Sequence, residues 1–404
     1  MTESGRYDVA VIGAGPGGSR AAERLARLGH RVLLLEKRER VGHPVRCAEA
    51  VGPREDVERY LALDDTLVSS PVDGVTVVAP DGTRFERGFP GAGFVVDREA
   101  FDRRLSEAAT AAGAELRTGH QAMGLLREDG RVAGVRVKDL RRGAEYDARA
   151  AVVVGADGVE SLSPRWAGLK EHYRPEEIFS CAQHLVEGID AGRAFIEFHL
   201  GRRFAPGGYA WVFPKGKDRA NVGVGVNPLM ADGKTAVQYL DAFLAHRCPG
   251  GARGRLVVGG CVVARGLPRL AADGYVAVGE AANQNNPFSG GGIVNALEGA
   301  DMAAGAVARA LERGRLSARD LSSYEKAWKR STGRANEAFF HAARIFYALA
   351  DEELSRVVRE LSRAKGVIGG KGVEPRRMIQ ALVVSHPRLL VQFLGYWLGA
   401  KRRR

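Results

Sequence analysis

The chain has 404 residues and a formal net charge of +12, from 60 Lys and Arg against 48 Asp and Glu. Hydrophobic residues at 45% and charged residues at 27% are ordinary for a globular protein and exclude collagen-like, low-complexity and wholly disordered classes. The length leaves room for two or three domains, and the charge is uneven: residues 1–308 carry 39 basic and 39 acidic side chains, whereas 309–404 carry 21 and 9. That asymmetry points to an anionic partner for the C-terminal quarter, or to a solvated arginine-rich face. Glycine, at 52 residues, is well above the usual share of about 7% and marks tight turns and close backbone approach to ligands. The cysteines at 47, 181, 248 and 261 have no C-x-x-C spacing, so neither a zinc site nor a disulfide scaffold is indicated and a reducing cytoplasm fits. The first residues lack the basic and apolar regions of a signal peptide, and the apolar run 389–400 is too short to span a bilayer.

In chain order, Asp8–Ile12 reads as a buried parallel strand. It runs into Gly13-Ala14-Gly15-Pro16-Gly17-Gly18, a G-x-G-x-x-G. A helical pattern follows (Ala21, Ala22, Leu25, Leu28), with Gly29 placed to end it, and then a second buried strand ending at Glu36. Strand, glycines, helix, strand and terminal acid in this order form a dinucleotide-binding unit. The glycines allow a tight turn and close approach to a pyrophosphate at the helix start, and Glu36 is placed to accept from a ribose hydroxyl. An acid at that position disfavours a 2′-phosphate and hence NADP as occupant.

Two later segments extend the pattern. Ala151–Gly155 is a buried strand ending in Gly155-Ala156-Asp157-Gly158. Gly274–Val278 is another, ending at Glu280 and leading through Asn285-Asn286-Pro287-Phe288-Ser289-Gly290-Gly291-Gly292-Ile293 into an Ala-rich helix to about Leu311. A glycine run opening a helix offers backbone N–H groups to an anion. These segments resemble the Asp-Gly and Gly-Asp motifs of the p-hydroxybenzoate-hydroxylase-like FAD superfamily, with Glu280 in place of the usual Asp. The resemblance implies FAD as cofactor, the second acid on the flavin ribitol and the helix start on the pyrophosphate. No second strand–GxGxxG–helix unit follows, so an electron donor would bind transiently: NAD(P)H, or a reduced carrier protein.

The sequence is similar to the geranylgeranyl reductase family in three further places: Arg46-Cys47-Ala48-Glu49-Ala50, Val95-Val96-Asp97-Arg98, and Pro206-Gly207-Gly208-Tyr209-Ala210-Trp211-Val212-Phe213-Pro214. The last matches P-x-x-Y-x-W-x-F-P at every fixed position. The resemblance implies an FAD-dependent reductase that saturates isolated C=C bonds of a prenyl chain by hydride transfer from reduced flavin. The chain would be carried by an isoprenoid lipid, a quinone tail or geranylgeranyl diphosphate. It implies cofactor contacts at Gly13, Ala14, Gly15, Gly18, Glu36, Arg46, Cys47, Ala48, Ala50, Arg98, Ala122, Asp157, Glu280, Gly292 and Ile293. It places Cys47 beside the flavin as the candidate catalytic residue, as proton donor or as positioning group.

Each of these residues has a plainer reading. Cys47 fits an inert buried thiol as well as a thiol made reactive by the Arg46 guanidinium next to it. Tyr209, Trp211 and Phe213 share one face of a strand, as core residues do, although an aromatic wall equally suits a long apolar substrate and the resemblance favours that. Arg98 fits a surface ion pair. Asn283, Asn285 and Asn286 fit turn-shaping roles. His43, His120 and His199 lack ligand spacing for a metal.

The expected architecture is α/β: a Rossmann-like FAD-binding domain, an inserted antiparallel-sheet substrate domain and a helical C-terminal region. Its segments are 1–70, 98–175 and 266–315 for FAD, 71–97 and 176–265 for the substrate sheet, and 316–404 for the helices. Val72–Val78, Ala194–Leu200, Tyr209–Phe213 and Asn221–Val226 supply antiparallel strands. Phe339, Phe340, Ile345, Phe346 and Leu349 fall on nearby helical faces. The apolar clusters around Met378 and Leu389–Trp397, followed by Lys401–Arg404, suit an anionic membrane surface, with peripheral placement on the inner face of the cell membrane. A docked helix with a frayed basic tail is the alternative. The competing functions are an aromatic monooxygenase or a halogenase-like flavoenzyme on the same fold, although the halogenase Trp-x-Trp-x-Ile-Pro is missing. Nucleic-acid binding has charge alone in its favour and is not expected.

Overall fold

The computed structural model describes residues 6–191 and 194–363, and the backbone of two short strands at 368–369 and 372–373. The first sheet is built around Tyr7–Ile12, which pairs in parallel with Val32–Glu36 on one side and Glu145–Gly155 on the other. Glu115–Thr118 and Tyr275–Ala277 extend it, also in parallel. The hairpin His120–Glu128/Arg131–Asp139 joins antiparallel through Glu145–Gly155. Val9, Val11, Leu33, Leu34, Val152 and Val153 are fully shielded from solvent. Continuous burial of this kind explains why these strands read as unbroken apolar runs. The helices Pro16–Arg27, Arg98–Ala111 and Ile293–Glu312 pack against this sheet and one another. Gly29, with φ +85, follows the first helix and turns the chain back into the sheet.

The second sheet has eight strands in the order Ala252–Val262, Ile178–Glu187, Arg219–Val226, Tyr209–Pro214, Phe195–His199, Val68–Val78, Arg84–Val96 and Ala50–Val51. Its strands come from segments on either side of residues 98–166. The pairings of this sheet are antiparallel except one: Phe195–His199 runs parallel to Val68–Val78. Between these two strands the chain passes through much of the first sheet, so no hairpin dictates their relative direction.

One face of the second sheet is covered by the helix Ala236–Arg247, whose Leu240, Phe243 and Leu244 pack on Ala182, Val186, Val222 and Val224. The alternate residues Cys181, Gln183, Asn221, Gly223 and Gly225 therefore face the other way. Beyond residue 317 the helices Ala318–Leu321, Ser323–Arg330, Thr332–Phe346 and Asp351–Arg363 follow. Phe339, Ile345, Phe346 and Leu349 pack with Phe85, Leu200 and Val358; Phe340 stays outside that cluster, against His341. Met378, the run 389–400 and Lys401–Arg404 lie outside the described residues. Among the described residues no helix is long and apolar enough to cross a membrane.

A buried charge cluster pins the second sheet to its covering helix. Glu197 accepts from Arg247 Nε and Nη2, at 3.0 and 2.7 Å, and lies 2.9 Å from His199 Nε2. Burial alone would raise the Glu197 carboxyl, but the hydrogen bonds and the Arg247 charge outweigh it and hold it down at about 2. A depressed carboxyl stabilises the fold above its unfolded value, near 4.5, and loses that contribution as pH falls towards 2. Glu197→Gln should therefore cost about 2 kcal/mol at neutral pH and flatten the acid limb of the stability curve. Urea midpoints taken from pH 7 down to pH 3 read both effects.

Candidate active site

The two sheets and the start of the helix Ile293–Glu312 enclose a cavity of about 430 Å3. Its wall on the first-sheet side is built by the glycines of the nucleotide motif, each for a different reason. Gly13 has φ +97, and a Cβ there would lie 2.5 Å from the Ala156 carbonyl oxygen. A Cβ on Gly18 would lie 1.8 Å from the Gly13 carbonyl oxygen, so this glycine lets helix and turn touch. Gly15 needs neither allowance: its φ is −73 and a Cβ would meet nothing within 4 Å. The protein's own packing does not demand a glycine there, which leaves close approach by a ligand as its use.

Two helix N-termini reach this cavity, at Gly15 and Gly292, and neither N-cap residue makes a side-chain capping bond. Pro16 has no N–H, so in the first helix the donors begin at Gly17; the N–H groups of these first turns are left for an anion. Glu36 stands at the end of its strand, accepting from Ala14 N at 3.0 Å and Arg38 N at 2.9 Å. Glu280 lines the opposite wall. Its Oε1 accepts from Val262 N and Asn285 Nδ2, both at 2.9 Å, and Oε2 has no protein donor among the described residues. Burial raises the Glu280 carboxyl, and these hydrogen bonds only partly offset it. Three buried polar atoms around the cavity have no partner among the described residues: Trp211 Nε1, Gln183 Oε1 and Asn285 Oδ1. Uncapped helix starts, an open glycine and orphaned polar atoms around one cleft fit a large polar cofactor with a pyrophosphate, as FAD is.

Of the residues singled out from the sequence, the cavity is lined by Gly13, Gly15, Glu36, Arg46, Cys47, Ala48, Ala50, Arg98, Ala122, Asp157, Glu280, Gly292 and Ile293, and by the aromatic trio. Ala14 and Gly18 are not on the wall; one bonds Glu36 and the other packs on Gly13. Asp157 turns its carboxylate to Ser163, accepting from the backbone N and the hydroxyl at 2.7 Å each. Arg98 is not a surface residue: it grips Asp102 through two bonds of 2.9 and 2.8 Å beneath the cavity.

The aromatic wall depends on a glycine in the neighbouring strand. Tyr209 lies opposite Gly225 and Trp211 opposite Gly223. A Cβ on Gly223 would fall 2.3 Å from the Trp211 ring, so the indole lies across space that any other residue would fill. Tyr209, Trp211 and Phe213 form a continuous series with ring centroids 5.9 and 6.3 Å apart, and Phe198 packs edge-on to the outer two.

The expectation that Arg46 would activate Cys47 is corrected. Arg46 reaches towards Glu160, at 3.8 Å, and the guanidinium beside the thiol is that of Arg98. Burial pushes the Cys47 thiol up, and Arg98 together with the Glu49 amide offsets this only in part. The balance favours the thiol over the thiolate.

Sequence reasoning missed the clamp on this loop. Gln183 Nε2 donates to Cys47 O at 2.8 Å and Asn221 Nδ2 to Ala48 O at 3.1 Å. The Glu49 carboxylate accepts from Lys215 Nζ at 2.7 Å, Asn221 Nδ2 at 2.6 Å and Arg98 N at 2.9 Å. The available signal was a Gln and an Asn at single positions inside otherwise apolar strands. Asn285, read as turn-forming, faces the cavity instead, while Asn283 does sit in a turn with φ +54.

Known proteins give this geometry its family. Residues 8–163 match the FAD dependent oxidoreductase family, and residues 177–263 match the geranylgeranyl reductase catalytic domain. The digeranylgeranylglycerophospholipid reductase of Methanosarcina mazei is 40% identical over 95% of both chains. That of Methanosarcina acetivorans is 39% identical over 95% of this chain and 94% of its own. Among solved structures, a geranylgeranyl bacteriochlorophyll reductase-like protein of Thermoplasma acidophilum superposes with a TM-score of 0.89 at 30% identity, over 96% of this chain and 99% of that one. The flavin-dependent brominase Bmp2, with a TM-score of 0.69 at 17% identity, covers 99% of this chain and 100% of its own and shares the fold alone. With both domains matched and relatives aligned along nearly its whole length, the chain belongs to the geranylgeranyl reductase family of FAD-dependent oxidoreductases.

Proposed function

We propose that the protein saturates isolated C=C bonds in the geranylgeranyl chains of a glycerophospholipid. The observation that carries this reading is the meeting, in one cavity, of the flavin-type cleft, the Cys47 loop and the one-sided wall of Tyr209, Trp211 and Phe213. An extended apolar chain with no polar handle needs such a wall, since burial and shape must hold the alkene. The relatives of nearly equal length, which are named for digeranylgeranylglycerophospholipid, support the lipid over a free diphosphate or a quinone tail.

In this reading Gly15 and the N-termini at residues 16 and 293 hold the pyrophosphate, Glu36 the adenosine ribose, and Glu280 Oε2 the ribitol hydroxyls. The reduced flavin supplies hydride equivalents when bound. Cys47, kept protonated by burial, stands ready with a proton at the cavity wall. Gln183, Asn221 and Lys215 fix the loop that carries it, and Trp211 and Phe213 exclude water from the alkene. The reductant that reloads the flavin, a nicotinamide nucleotide or a reduced carrier protein, would bind only transiently. An anionic membrane surface would present the lipid.

The test is expression in a host that makes unsaturated prenyl ether lipids, followed by mass spectrometry. Lipid masses should rise by two hydrogens for each bond reduced. Unchanged lipids, with a flavin that still reduces and reoxidises, would sink the reading. Cys47→Ala should keep its yellow colour and lose most alkene reduction; full activity in that variant would remove Cys47 from the chemistry. Glu280→Gln should separate holding from folding. It keeps an acceptor for Val262 N and Asn285 and removes a buried charge, so the flavin-free protein should gain about 1 kcal/mol of stability while flavin affinity falls about tenfold. Thermal unfolding and flavin titration measure the two effects.

A further inference from the structure

The Cys47 loop contains a backbone conformation that packing alone does not call for. Glu49, a non-glycine residue, has φ +71. Holding a side chain in the left-handed region costs about 1 kcal/mol, and such outliers persist where their surroundings fix them. Here the fixing is complete: the carboxylate takes its bonds from Lys215, Asn221 and Arg98 N, and the Glu49 carbonyl accepts from Val96 N at 2.9 Å. In this conformation the Glu49 amide N–H donates to Cys47 Sγ at 3.2 Å. From another direction the positive charge of the Arg98 guanidinium acts on the same sulfur, while two bonds to Asp102 fix its plane.

We propose that the Glu49 amide and the Arg98 guanidinium form a cradle for a sulfur anion, so that Cys47 is the proton donor of the reduction and these two positioning groups stabilise the charge it leaves behind. An inert core thiol needs neither the amide nor the cation. A hydrogen bond strengthens as its acceptor becomes anionic, and a cation attracts an anion but not a neutral thiol, so both groups favour the thiolate. The inference rests on the prenyl-reductase reading of the site. In the step, the S–H bond of Cys47 breaks and its electron pair stays on sulfur. The proton forms a C–H bond with the alkene π pair. The other alkene carbon takes a hydride, with both its electrons, from the reduced cofactor, which is thereby oxidised by two electrons. The thiolate regains a proton from solvent after the product leaves.

The charged and titratable groups around the sulfur are few. Among the described residues Arg98 and the Glu49 carboxylate act on it, with Asp102 and Lys215 as their respective partners, and Tyr209 and Cys261 line the same cavity. This arrangement gives a test with opposite signs. The rate of Cys47 alkylation by iodoacetamide is followed against pH in the full-length, flavin-loaded protein, with the modified peptide read by mass spectrometry. Arg98→Met should slow alkylation about tenfold at a given pH by removing the cation, and Arg98→Lys should restore part of the rate. Asp102→Asn leaves the guanidinium without its counter-charge and should speed alkylation by a similar factor. If Arg98→Met loses its flavin, Asp102→Asn carries this arm alone. Cys47→Ser, nearly isosteric but a much weaker acid, should lower kcat about 100-fold with KM and the flavin spectrum unchanged. Wild-type kcat in Cys47→Ser, or alkylation profiles that ignore both charge changes, would overturn the proposal. Failure of the wild-type chain to reduce any prenyl substrate would instead sink the reductase reading, and the alkylation profiles would still decide the cradle.

Discussion

A single buried carboxylate organises the centre of this molecule. Glu49 is almost wholly out of water, at 4% exposure, and must be compensated where it sits. Its donors come from three places: Lys215 at the end of the aromatic strand, Asn221 in the next strand, and the backbone of Arg98 at the start of a helix of the cofactor-binding half. Satisfying that one charge brings the aromatic strand, the Cys47 loop and the Arg98 helix into register. The two most distinctive stretches of the sequence, 46–50 and 206–215, are thus two sides of one ion pair. Because Lys215 directly follows Pro214, the same pair that fixes the Cys47 loop also fixes how far the aromatic wall extends.

Much of the cofactor cleft was legible in the sequence because its physics is local. A strand, a glycine turn and a helix lie within a few dozen residues; Gly18 answers to Gly13 five residues before it and Gly15 to a ligand, and only Gly13 answers to a distant residue, Ala156. The alternation of Tyr209, Trp211 and Phe213 was equally legible, since a strand puts every second residue on one face. The complementary alternation of Asn221, Gly223 and Gly225 was just as visible, but its meaning lies in another strand. Gly223 exists because the Trp211 ring opposite it needs the room.

What the sequence hid depends on long-range pairing. Glu49 lies 166 residues from Lys215 and 172 from Asn221, and nothing in the local pattern links them. Gln183 looked like one polar position in an apolar strand, which usually means a solvated face; here that face lines an interior cavity. The cation beside Cys47 was assigned by adjacency to Arg46, whereas the folded chain supplies Arg98 from the beginning of a helix. The parallel pairing of Phe195–His199 escaped for the same reason: strand direction across a long crossover is set by where the chain returns, which composition does not record.

That crossover has a consequence for how the protein is made. Val68–Val78 pairs early with Arg84–Val96, but the partner on its other side begins only at Phe195. At synthesis rates of about 5–20 residues per second, its outer edge waits several seconds on the ribosome with unpaired backbone groups. The nascent chain can complete the early parallel strands of its cofactor-binding half in that interval, while the substrate sheet stays an open-edged hairpin. The order of synthesis thus makes the cofactor-binding half the template on which the substrate sheet closes, and exposes that edge to a second nascent chain if translation stalls between residues 96 and 195.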